Sequence, residues 1–479
     1  MIEPQANMEI TWAPRLQTIL SWFESTCGEA FLCGEAAQKL ISPGGIIPPR
    51  SGEIAISKVE SSLWTRLQIH FPDLDCEPRN GEPSINLPTE PGAELRIRLS
   101  GYRSTQGAFE GDDGEATIFT LLKEQGVTLQ AFALKPGGDL VDPYQGVEDY
   151  QTKTLRVVED PRMVFREQPE MLVRVAGYIA QYGYEPDKET TRFASRDAAN
   201  IMSVERSVWT AEMNKILMSP HLDLSMEWLL STGILKFLLP EVVSLVDFHK
   251  SCAVHHKDCW DHTIKVTKKA NQDLCTKWAA LCHDIGKIWT RSVDRNRQVH
   301  FYRHEEFGAL LFEGIAARFQ MDEELAFRVA SVIKLHGRVN LYESNWTDSA
   351  IRRLIRDSGE HLEDLVRFSK ADFTSKRPER IATIQRQLNE LEVRIAEIKT
   401  ESLKKQPLPK GLGTALISEL GITPGPDLGH LRRGLDYLCS AEKILTEQDS
   451  DYYVELVRSM GIEELIEIGK EQHKRSREG

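Results

Sequence analysis

The chain has 479 residues, a length that exceeds one hydrophobic core and predicts roughly two to four domains. Its hydrophobic fraction of 41% and charged fraction of 27% are those of an ordinary globular protein, and no apolar run reaches the ~18 residues needed to span a membrane. The formal net charge of −13 argues against strong non-specific binding to nucleic acid. Because the amino terminus lacks the pattern of a secretion signal, we expect a cytoplasmic protein.

Cysteines and basic residues give two further compositional signals. The eight cysteines stand singly, without a C-x-x-C pair, which predicts neither a zinc ribbon nor a disulfide framework. Basic residues form three local groups, which are Arg352, Arg353 and Arg356, then Lys376, Arg377 and Arg380, then Lys474, Arg475 and Arg477. In the first group, helical spacing puts Arg353 and Arg356 on one face. They could contact RNA phosphates or form ion pairs within the protein.

The first 150 residues differ in pattern from the rest of the chain. They contain short β-like runs, "AFLCG", "GEIAIS", "AELRIRLS" and "VTLQAFAL", separated by loops rich in proline and glycine. This pattern predicts a mixed sheet with a few helices, that is, an α+β head.

From about residue 151 the pattern becomes helical and remains so. "PEMLVRVAGYIAQYGY", "SVERSVWTAEMNKILMS" and "MEWLLSTGILKFLLPEVVSLVDF" repeat apolar residues at spacings of three and four. A heptad stripe that indicates a packed helix follows at Ile384, Leu388, Leu391, Ile395 and Ile398. We predict a multi-domain protein with the α+β head in 1–150, an all-α body in 151–245, a second all-α domain in 246–380 and a helical tail in 381–479.

The segment "LCHDIGK" places His283 beside Asp284 at the end of an apolar run. One interpretation is a capped helix end, stopped by Gly286 and complemented by Lys287. The other is a pair of metal ligands, because burying an imidazole or a carboxylate without a partner is costly.

Further candidate ligands lie on both sides of this pair. His262 precedes it at the start of a helical pattern, and an antiparallel helix pair would bring His262 opposite His283. Asp372 follows, with His304 and His336 in between, and these two histidines either bind a second metal, contact phosphate or have no ligand role. A mixed His/Asp set suits one or two divalent ions among Mg²⁺, Mn²⁺, Fe²⁺, Co²⁺, Ni²⁺ and Zn²⁺. Such an ion activates water for phosphoester hydrolysis.

The order H…HD…H…H…D, with "HDIGK" intact, resembles the HD-domain superfamily of metal-dependent phosphohydrolases. The resemblance implies that His262, His283, Asp284 and Asp372 hold the metal. It further implies a catalytic role for Asp284 and a position near the substrate phosphate for Lys287, whose alternative role is that of a charge at a helix carboxyl end.

Upstream of this segment, and over nearly the whole chain, the sequence resembles bacterial tRNA nucleotidyltransferases (CCA-adding enzymes) and poly(A) polymerases. "GDLVDPYQGVEDYQTKTLRVV" is similar to the family's G-x-l-x-D-P-x-x-G-x-x-D segment. "SVERSVWTAEMNKIL" keeps the S-x-E-R-x-x-x-E pattern through Glu205, Arg206 and the nearby acid Glu212. The resemblance implies a nucleotidyltransferase-like head, an RNA-binding-like body and an HD domain, with tRNA or another RNA 3′ end, or a nucleotide, as partner.

The departures from the family pattern fall at the positions of the family's catalytic and nucleotide-binding residues. In "FLCGEAAQKLI", Gly34 is kept, whereas Glu35 replaces the second glycine of the family's Gly-Gly turn. The Arg and Asp of the family's V-R-D become Gln38 and Lys39.

The family's metal-binding and nucleotide-selecting residues also differ. "GEIAIS" puts Glu53 and Ala55 at the positions of the metal-binding Asp pair. Gln168 and Met171 replace the Asp and Arg that select the nucleotide, and "KEQGVTLQA" lacks the basic residues that meet the triphosphate. Since two-metal phosphoryl transfer needs convergent carboxylates, we predict a head that keeps the family's fold but lacks nucleotidyltransferase activity.

Three functions remain as hypotheses from the sequence. The first is an HD-type metal-dependent phosphohydrolase acting on an RNA 3′ end or a nucleotide. The second is an active tRNA nucleotidyltransferase with an additional HD phosphohydrolase, and the third is a non-catalytic RNA-binding protein. The complete His/Asp set favours the first over the third, and Ala55, Gln168 and Met171 favour it over the second.

Overall fold

A computed structural model describes most of the chain. The described residues are 14–41, 51–56, 63–74, 84–90, 93–101, 118–246, 248, 259–296, 298–373, 378–404, 408–441, 443–446 and 448–478. The chain forms two compact units, one of residues 1–337 with 363–374 and the other of residues 338–362 with 375–479. The division into four domains stays a prediction. No described helix is both long and apolar enough to cross a lipid bilayer.

The amino-terminal part contains a mixed sheet, as expected. Its elements are α1 (Pro14–Cys27), β1 (Ala30–Cys33), α2 (Gly34–Ile41), β2 (Ser51–Ile56), α3 (Leu63–His70), β3 (Ser84–Glu90), β4 (Ala93–Gly101), α4 (Ile118–Lys123), β5 (Ala133–Leu134) and β6 (Leu140–Val141). The strand order is β3-β4-β2-β1-β5-β6, with β2 and β4 parallel and the other neighbours antiparallel. The strand predicted from "VTLQAFAL" is confirmed only at β5, because Thr128–Gln130 form a tight 3-10 turn.

Successive residues of β1 and β2 face opposite sides of this sheet. Leu32 and Ile54 pack with α1, α2 and α3 in one core. Phe31 and Ala55 pack with Ile118 and other residues of α4 in a second core. The sheet is therefore covered on both faces.

The segment "GDLVDPYQGVED" has a structural role in the head. The backbone N–H groups of Gly146 and Val147 donate to the Asp142 carboxylate (2.7 and 3.0 Å) at the start of α5 (Gly146–Thr152). A Cβ on Gly146 would lie 1.9 Å from the carbonyl oxygen of Thr128, so only glycine fits there. Asp149 accepts hydrogen bonds from Arg156 (2.9 Å) and from Thr128.

The following helices belong to the same compact unit. They are α6 (Pro161–Glu167), α7 (Met171–Tyr182), α8 (Lys188–Arg196), α9 (Arg206–Leu217), α10 (Leu222–Ser231), α11 (Leu235–Leu238) and α12 (Pro240–Val243), with a short strand pair β7 (Thr154–Leu155) and β8 (Glu185–Pro186). The predicted helix "MEWLLSTGILKFLLPEVV" is divided into α10, α11 and α12, because Gly233 takes a left-handed conformation (φ 77°) and Pro240 begins a new turn.

The next elements in chain order carry the candidate histidine and aspartate ligands or lie between them in the sequence. They are α13 (Cys259–Lys269), α14 (Leu274–Cys282), α15 (Lys287–Thr290), β9 (Arg291–Val293), β10 (Val299–Phe301), α16 (His304–Phe319), α17 (Glu323–Asn340), α18 (Asp348–Ser358) and α19 (Leu362–Ala371). The hairpin of β9 and β10 corrects the expectation of an uninterrupted helical pattern. Asp294 organises its turn by accepting from the N–H groups of Asn296 (2.9 Å) and Gln298 (2.7 Å).

The second compact unit is helical where it is described. Besides α18 it contains α20 (Pro378–Lys404), α21 (Leu412–Leu420), α22 (Pro426–Ser440), α23 (Ser450–Met460) and α24 (Ile462–Glu478). The heptad stripe predicts α20 correctly, since Leu388, Leu391, Ile395 and Ile398 are buried. In the last helices, a Cβ on Gly469 would lie 1.8 Å from the carbonyl oxygen of His430, which shows how closely α22 and α24 cross.

Candidate metal centre

Five helices bring the candidate ligands together. His262 lies in the first turn of α13, His283 and Asp284 directly follow α14, and His304 begins α16. His336 lies near the end of α17, and Asp372 follows α19. All of these residues belong to the first compact unit. The antiparallel helix pair expected for α13 and α14 therefore brings His262 to His283.

A buried lysine fixes this helix pair. Lys277, in the middle of α14, is fully buried, and its Nζ donates to the carbonyl oxygen of Thr267 (2.7 Å) in the last turn of α13. Burial lowers the pKa of Lys277, although nearby Asp273 partly offsets this effect. The ammonium group thus satisfies carbonyl groups at the end of α13, and it holds the two helices in register.

The first group of candidate ligands consists of His262, His283 and Asp372. The Nε2 atoms of His262 and His283 are 3.3 Å apart. Oδ1 of Asp372 lies 3.2 Å from His262 Nε2 and 3.5 Å from His283 Nε2.

The second group consists of Asp284, His304 and His336, with ligand atoms within 4.8 Å of one another. Asp284 connects the two groups, because its two oxygens face different histidines. Oδ2 lies 3.3 Å from His283 Nε2, whereas Oδ1 lies 3.9 Å from His304 Nε2. The structure therefore brings together all six residues that the sequence suggests as ligands.

Backbone carbonyl groups orient three of the imidazoles. The Nδ1 atoms of His283, His304 and His336 lie 2.9, 2.9 and 2.6 Å from the carbonyl oxygens of the residues three positions earlier. Since a carbonyl oxygen only accepts, each Nδ1 carries a proton and donates it. The Nε2 atom of each neutral ring is left as the electron-pair donor, which is the arrangement that metal-binding histidines usually have.

Three glycines allow the helices to approach closely around the histidines. A Cβ on Gly286 would lie 2.1 Å from the carbonyl oxygen of His304, and one on Gly337 would lie 2.4 Å from Glu305 Oε1. Gly308 lies beside Gly286 and the carbonyl group of His283. Gly286 has φ −69°, so it does not act as the left-handed helix stop of the first sequence interpretation. Its small size is what the position requires.

The carboxylates create a site that favours positive charge. Burial alone would lower the pKa of His283, but Asp284 and Asp372 outweigh it and raise that pKa. Burial would likewise raise the pKa of Asp372, but the hydrogen bond to His262 and the charge of His283 lower it to about 2. The pKa of Asp284 falls well below its ordinary value despite burial, because His283 and Lys287 lie beside it.

Lys287 lies at the entrance of the site. Its Nζ is 2.7 Å from Asp284 Oδ2, and about a quarter of its side chain is exposed. Burial alone would lower its pKa, but Asp284 raises it, so the group is cationic. Lys287 thus has a carboxylate partner within the site, and its helix-terminus role stays the alternative considered from the sequence.

The donor set fits a divalent cation. Imidazole nitrogens and carboxylate oxygens from separate helices converge with their electron pairs directed inward, which suits transition metals and Mg²⁺ or Mn²⁺ with water in the open positions.

Phe368 of α19 packs against the histidines of the site, with its ring 5.5 Å from that of His283 and 5.8 Å from that of His336. The sequence reasoning missed Phe368, Gly308 and Gly337, because their roles depend on contacts between helices.

A third group of possible donors, Asp273, Cys275 and Asp364, has other partners. The Arg328 guanidinium donates two hydrogen bonds to Asp364 (2.9 and 3.0 Å), and Asp273 caps the start of α14 through the N–H of Thr276 (2.9 Å). These interactions account for both carboxylates as structural residues.

The head positions Glu53 and Ala55 on the face of β2 that α4 covers. Ala55 is fully buried, and Glu53 is 7% exposed. Glu53 accepts a hydrogen bond from Gln125 (3.2 Å), and it lies opposite Cys33 across the strand pair. Burial, and then the charge of Glu53, raise the pKa of the Cys33 thiol.

The other altered head positions are also placed. Met171 is buried at the start of α7 against Gly126, whereas Gln168 is exposed at the end of α6. Gln38 is buried and donates to the carbonyl oxygen of Leu129. Gly34 begins α2 with φ 68°. The side chains of Glu35 and Lys39 lie outside the described residues.

The remaining sequence motifs have structural partners. Arg206 covers the ring of Trp209 at 3.7 Å, and Glu212 lies against Gly177, where a Cβ would be 2.5 Å from its Oε2. In α18, Arg353 (3.6 Å) and Arg356 (3.4 Å) approach Asp357, which also pairs with Arg338. The arginines thus have the ion pairs that the sequence allows, and their contact with RNA stays a prediction. Lys376 and Arg377, and the side chains of Lys474, Arg475 and Arg477, lie outside the described residues.

Comparisons with known proteins agree with this architecture. Residues 183–245 match the family model "Probable RNA and SrmB-binding site of polymerase A", and residues 259–341 match the HD domain. An A-adding tRNA nucleotidyltransferase of Deinococcus radiodurans is 26% identical over 346 residues, which cover 70% of this chain and 78% of the relative. The chain is homologous to the CCA-adding enzymes. Its fold is mostly helical with a small amino-terminal sheet, as in those enzymes, and it contains an HD domain.

Other CCA-adding relatives match over different lengths. A multifunctional CCA protein of Acinetobacter baumannii is 30% identical over 221 residues, but the match covers 44% of this chain and only about half (52%) of the relative. The CCA-adding enzyme of Bacillus stearothermophilus, solved in complex with CTP, has the same fold with a TM-score of 0.56 at 16% identity, covering 94% of this chain and 99% of that one. A CCA-adding enzyme complexed with ATP gives a TM-score of 0.55 at 16% identity, covering 93% of this chain and 95% of the other.

Proposed function

We propose that this protein is a metal-dependent phosphohydrolase whose HD site hydrolyses a phosphoester at an RNA 3′ end or on a nucleotide. The observation that carries the proposal is the convergence of the His262 and His283 Nε2 atoms with the carboxylates of Asp284 and Asp372 in one site, where the His262 side chain stays 15% exposed. Imidazole nitrogens and carboxylate oxygens directed at one point offer the electron pairs that a divalent cation takes up.

The proposed roles follow from the positions of the side chains. His262, His283, Asp284 and Asp372 would hold the first ion, and Asp284, His304 and His336 offer a second set of donors. A divalent ion bound there supplies Lewis-acid stabilisation of phosphoryl oxygens and makes water more acidic. Lys287 holds Oδ2 of Asp284 in place, and its cationic Nζ would lie beside a phosphate bound to the ion.

An RNA end is favoured as the substrate by the surroundings of the site. The HD match directly follows the match to an RNA-binding family model, and the Deinococcus relative is named a tRNA nucleotidyltransferase. The HD-domain resemblance implies 2′,3′-cyclic phosphodiesterase, 2′-nucleotidase and phosphatase activities. Hydrolysis of a cyclic phosphate adds water to phosphorus and breaks one phosphoester bond, so it leaves a phosphomonoester.

Nucleotide addition by the head is the second candidate function, and homology to an A-adding enzyme and to multifunctional CCA proteins favours it. Against it, Ala55 offers no oxygen to a metal ion, and Met171 is buried against Gly126. We therefore propose that the head retains its fold without transferase turnover.

A panel of substrates tests the proposed function. Purified protein is incubated with 2′,3′-cyclic nucleotides, 2′-nucleotides, nucleoside triphosphates and tRNA lacking CCA, each with Mg²⁺, Mn²⁺ or Ni²⁺. We expect metal-dependent hydrolysis that Asp284→Ala reduces by at least about 10². Asp261→Ala, which removes an exposed carboxylate next to His262, is the matched control and should retain activity. Equal rates in the wild type and the Asp284 variant would refute the hydrolase, and absence of both metal and turnover would favour the RNA-binding alternative.

A further inference from the structure

Two exposed aromatic side chains lie within two residues of side chains of the HD site. Trp289 is 67% exposed and Tyr302 is 69% exposed, although both belong to residue types that usually bury most of their surface. Trp289 lies in the same helical turn as Lys287, and Tyr302 precedes His304 by two residues. Each aromatic residue is thus tied by the backbone to a side chain that reaches Asp284.

The hairpin of β9 and β10 brings the two aromatic residues to one end of the same element. Arg291 pairs with Phe301 at the open end of the hairpin, where the chain enters from Trp289 and leaves toward Tyr302. The Tyr302 ring stacks on His300 at 5.0 Å with an angle of 11° between the planes. Because this stacking fixes the orientation of Tyr302, its exposed face is prepared for a planar ligand.

The same segment is basic in a chain of net charge −13. From residue 287 to residue 303 the sequence has five Lys or Arg residues and one acid, Asp294. The Asp294 carboxylate is engaged in the hairpin turn and with His300 (3.2 Å). Arg295 is exposed, and Arg303 remains 80% exposed while it pairs with Glu306. A local excess of positive charge therefore accompanies the two rings.

We propose that Trp289, Tyr302, Arg295 and Arg303, the aromatic–basic surface, bind a single-stranded RNA 3′ end and present its terminal phosphate to the HD site. This proposal rests on the proposed function and specifies its substrate. Exposed rings stack on unpaired bases, and guanidinium groups contact the backbone phosphates. A paired duplex hides its base faces, so the surface favours single strands.

Binding is measured separately from hydrolysis by fluorescence anisotropy. The probe is a short labelled single-stranded RNA with a 2′,3′-cyclic phosphate end, and the measurements use the Asp284→Ala background. We expect Trp289→Ala with Tyr302→Ala to weaken binding about ten-fold. Phe327→Ala, which removes another exposed aromatic ring more than two helical turns before His336, should leave the affinity unchanged. Arg295→Glu should also weaken binding and reduce its dependence on salt.

Two results would overturn the proposal. One is an affinity in the Trp289 and Tyr302 double variant equal to that of the Phe327 variant, and the other is equal affinity for the single strand and its duplex. In the protein that keeps Asp284, Trp289→Ala with Tyr302→Ala should lower kcat/KM for the RNA relative to kcat/KM for a cyclic mononucleotide. If the protein hydrolyses neither substrate, the proposed function fails, but the anisotropy measurement still tests whether the aromatic–basic surface binds RNA. If it hydrolyses both with an unchanged ratio, the surface proposal fails alone.

Discussion

Asp284 lies between two sets of histidines, and each of its oxygens faces one set. Oδ2 approaches His283 and accepts a hydrogen bond from Lys287, while Oδ1 approaches His304. The imidazoles of His283 and His304 are held by the carbonyl groups of Ala280 in α14 and Phe301 in β10, so the orientation of their rings does not depend on Asp284. Its removal should therefore affect ligand number without displacing the histidine rings.

This arrangement predicts how single substitutions change metal content. We expect the purified protein to hold one or two divalent ions per chain, and Asp284→Ala to lose all of them, because it serves both groups of donors. His262→Ala should lower metal affinity by roughly 10-fold to 100-fold, as loss of one ligand of about four leaves a weakly held ion.

Elemental analysis after dialysis against a weak chelator measures the ion content of each variant. Asp261→Ala, on the same helix as His262, serves as the control and should match the wild type. Equal metal content in the wild type and the Asp284 variant would contradict the assignment of this carboxylate as a ligand.

At the scale of elements, the glycines between α14, α16 and α17 determine how closely the histidine-bearing helices approach. A Cβ on Gly286 would meet backbone atoms of His304 and Gly308. Backbone atoms of a packed helix cannot move aside as the end of an exposed side chain could. A Cβ at this position must therefore push the start of α16 away from Asp284.

We predict that Gly286→Ala lowers the free energy of unfolding by about 1–3 kcal/mol, the usual cost of overpacking. It should also weaken metal binding through His304. Gly314→Ala, on the exposed side of α16 where a Cβ would meet nothing within 4 Å, is the matched control and should be neutral or stabilising. Chemical denaturation and metal titration of the two variants measure the difference. Identical unfolding midpoints would show that α16 accommodates the methyl group.

The sequence predicts the elements that have a clear period and misses those that depend on a turn or a contact. The heptad stripe of α20 and the strands of "AFLCG" and "GEIAIS" are confirmed. The β9–β10 hairpin is missed, because its signal is a three-residue strand on each side of an Asp294 turn. All six candidate ligands are brought together, whereas Phe368 and the contact glycines could not be predicted, because nothing in their own segments indicates which helix they meet.

At the scale of the whole molecule, the chain combines a nucleotidyltransferase-like head with an HD domain, and polar side chains are arranged differently in the two. In the HD domain, imidazole and carboxylate groups converge on two sets of donors that are buried or half-buried. In the head, β2 directs Glu53 and Ala55 into a face that α4 covers with Ile118, Leu121 and Leu122. The motif of Asp142, Gly146 and Asp149 is retained, and its contacts explain why, since it caps and packs α5.

We therefore expect the head not to catalyse nucleotide addition. Loss of one charge-stabilising group typically costs on the order of 10² to 10³ in rate. The family resemblance implies that Ala55 replaces a metal-binding carboxylate and that Gln168 and Met171 replace the Asp and Arg that select the nucleotide. Such losses are not additive within one site, so we predict only that turnover is undetectable in a routine assay. Glu53→Asp with Ala55→Asp should not restore it, because Met171 remains buried and cannot pair with a base.

Primer extension on tRNA lacking its CCA end, with labelled CTP and ATP, measures this prediction in the wild type, the Asp284→Ala variant and the doubly restored head. We expect no incorporation by any of the three proteins, because none presents both a paired carboxylate site and the residues that select the nucleotide. In the same preparations, phosphate-ester hydrolysis should be present in the wild type and the restored head and absent from the Asp284 variant. Incorporation by the wild type and the Asp284 variant alike would assign the transferase activity to the head, since the HD site could not account for it.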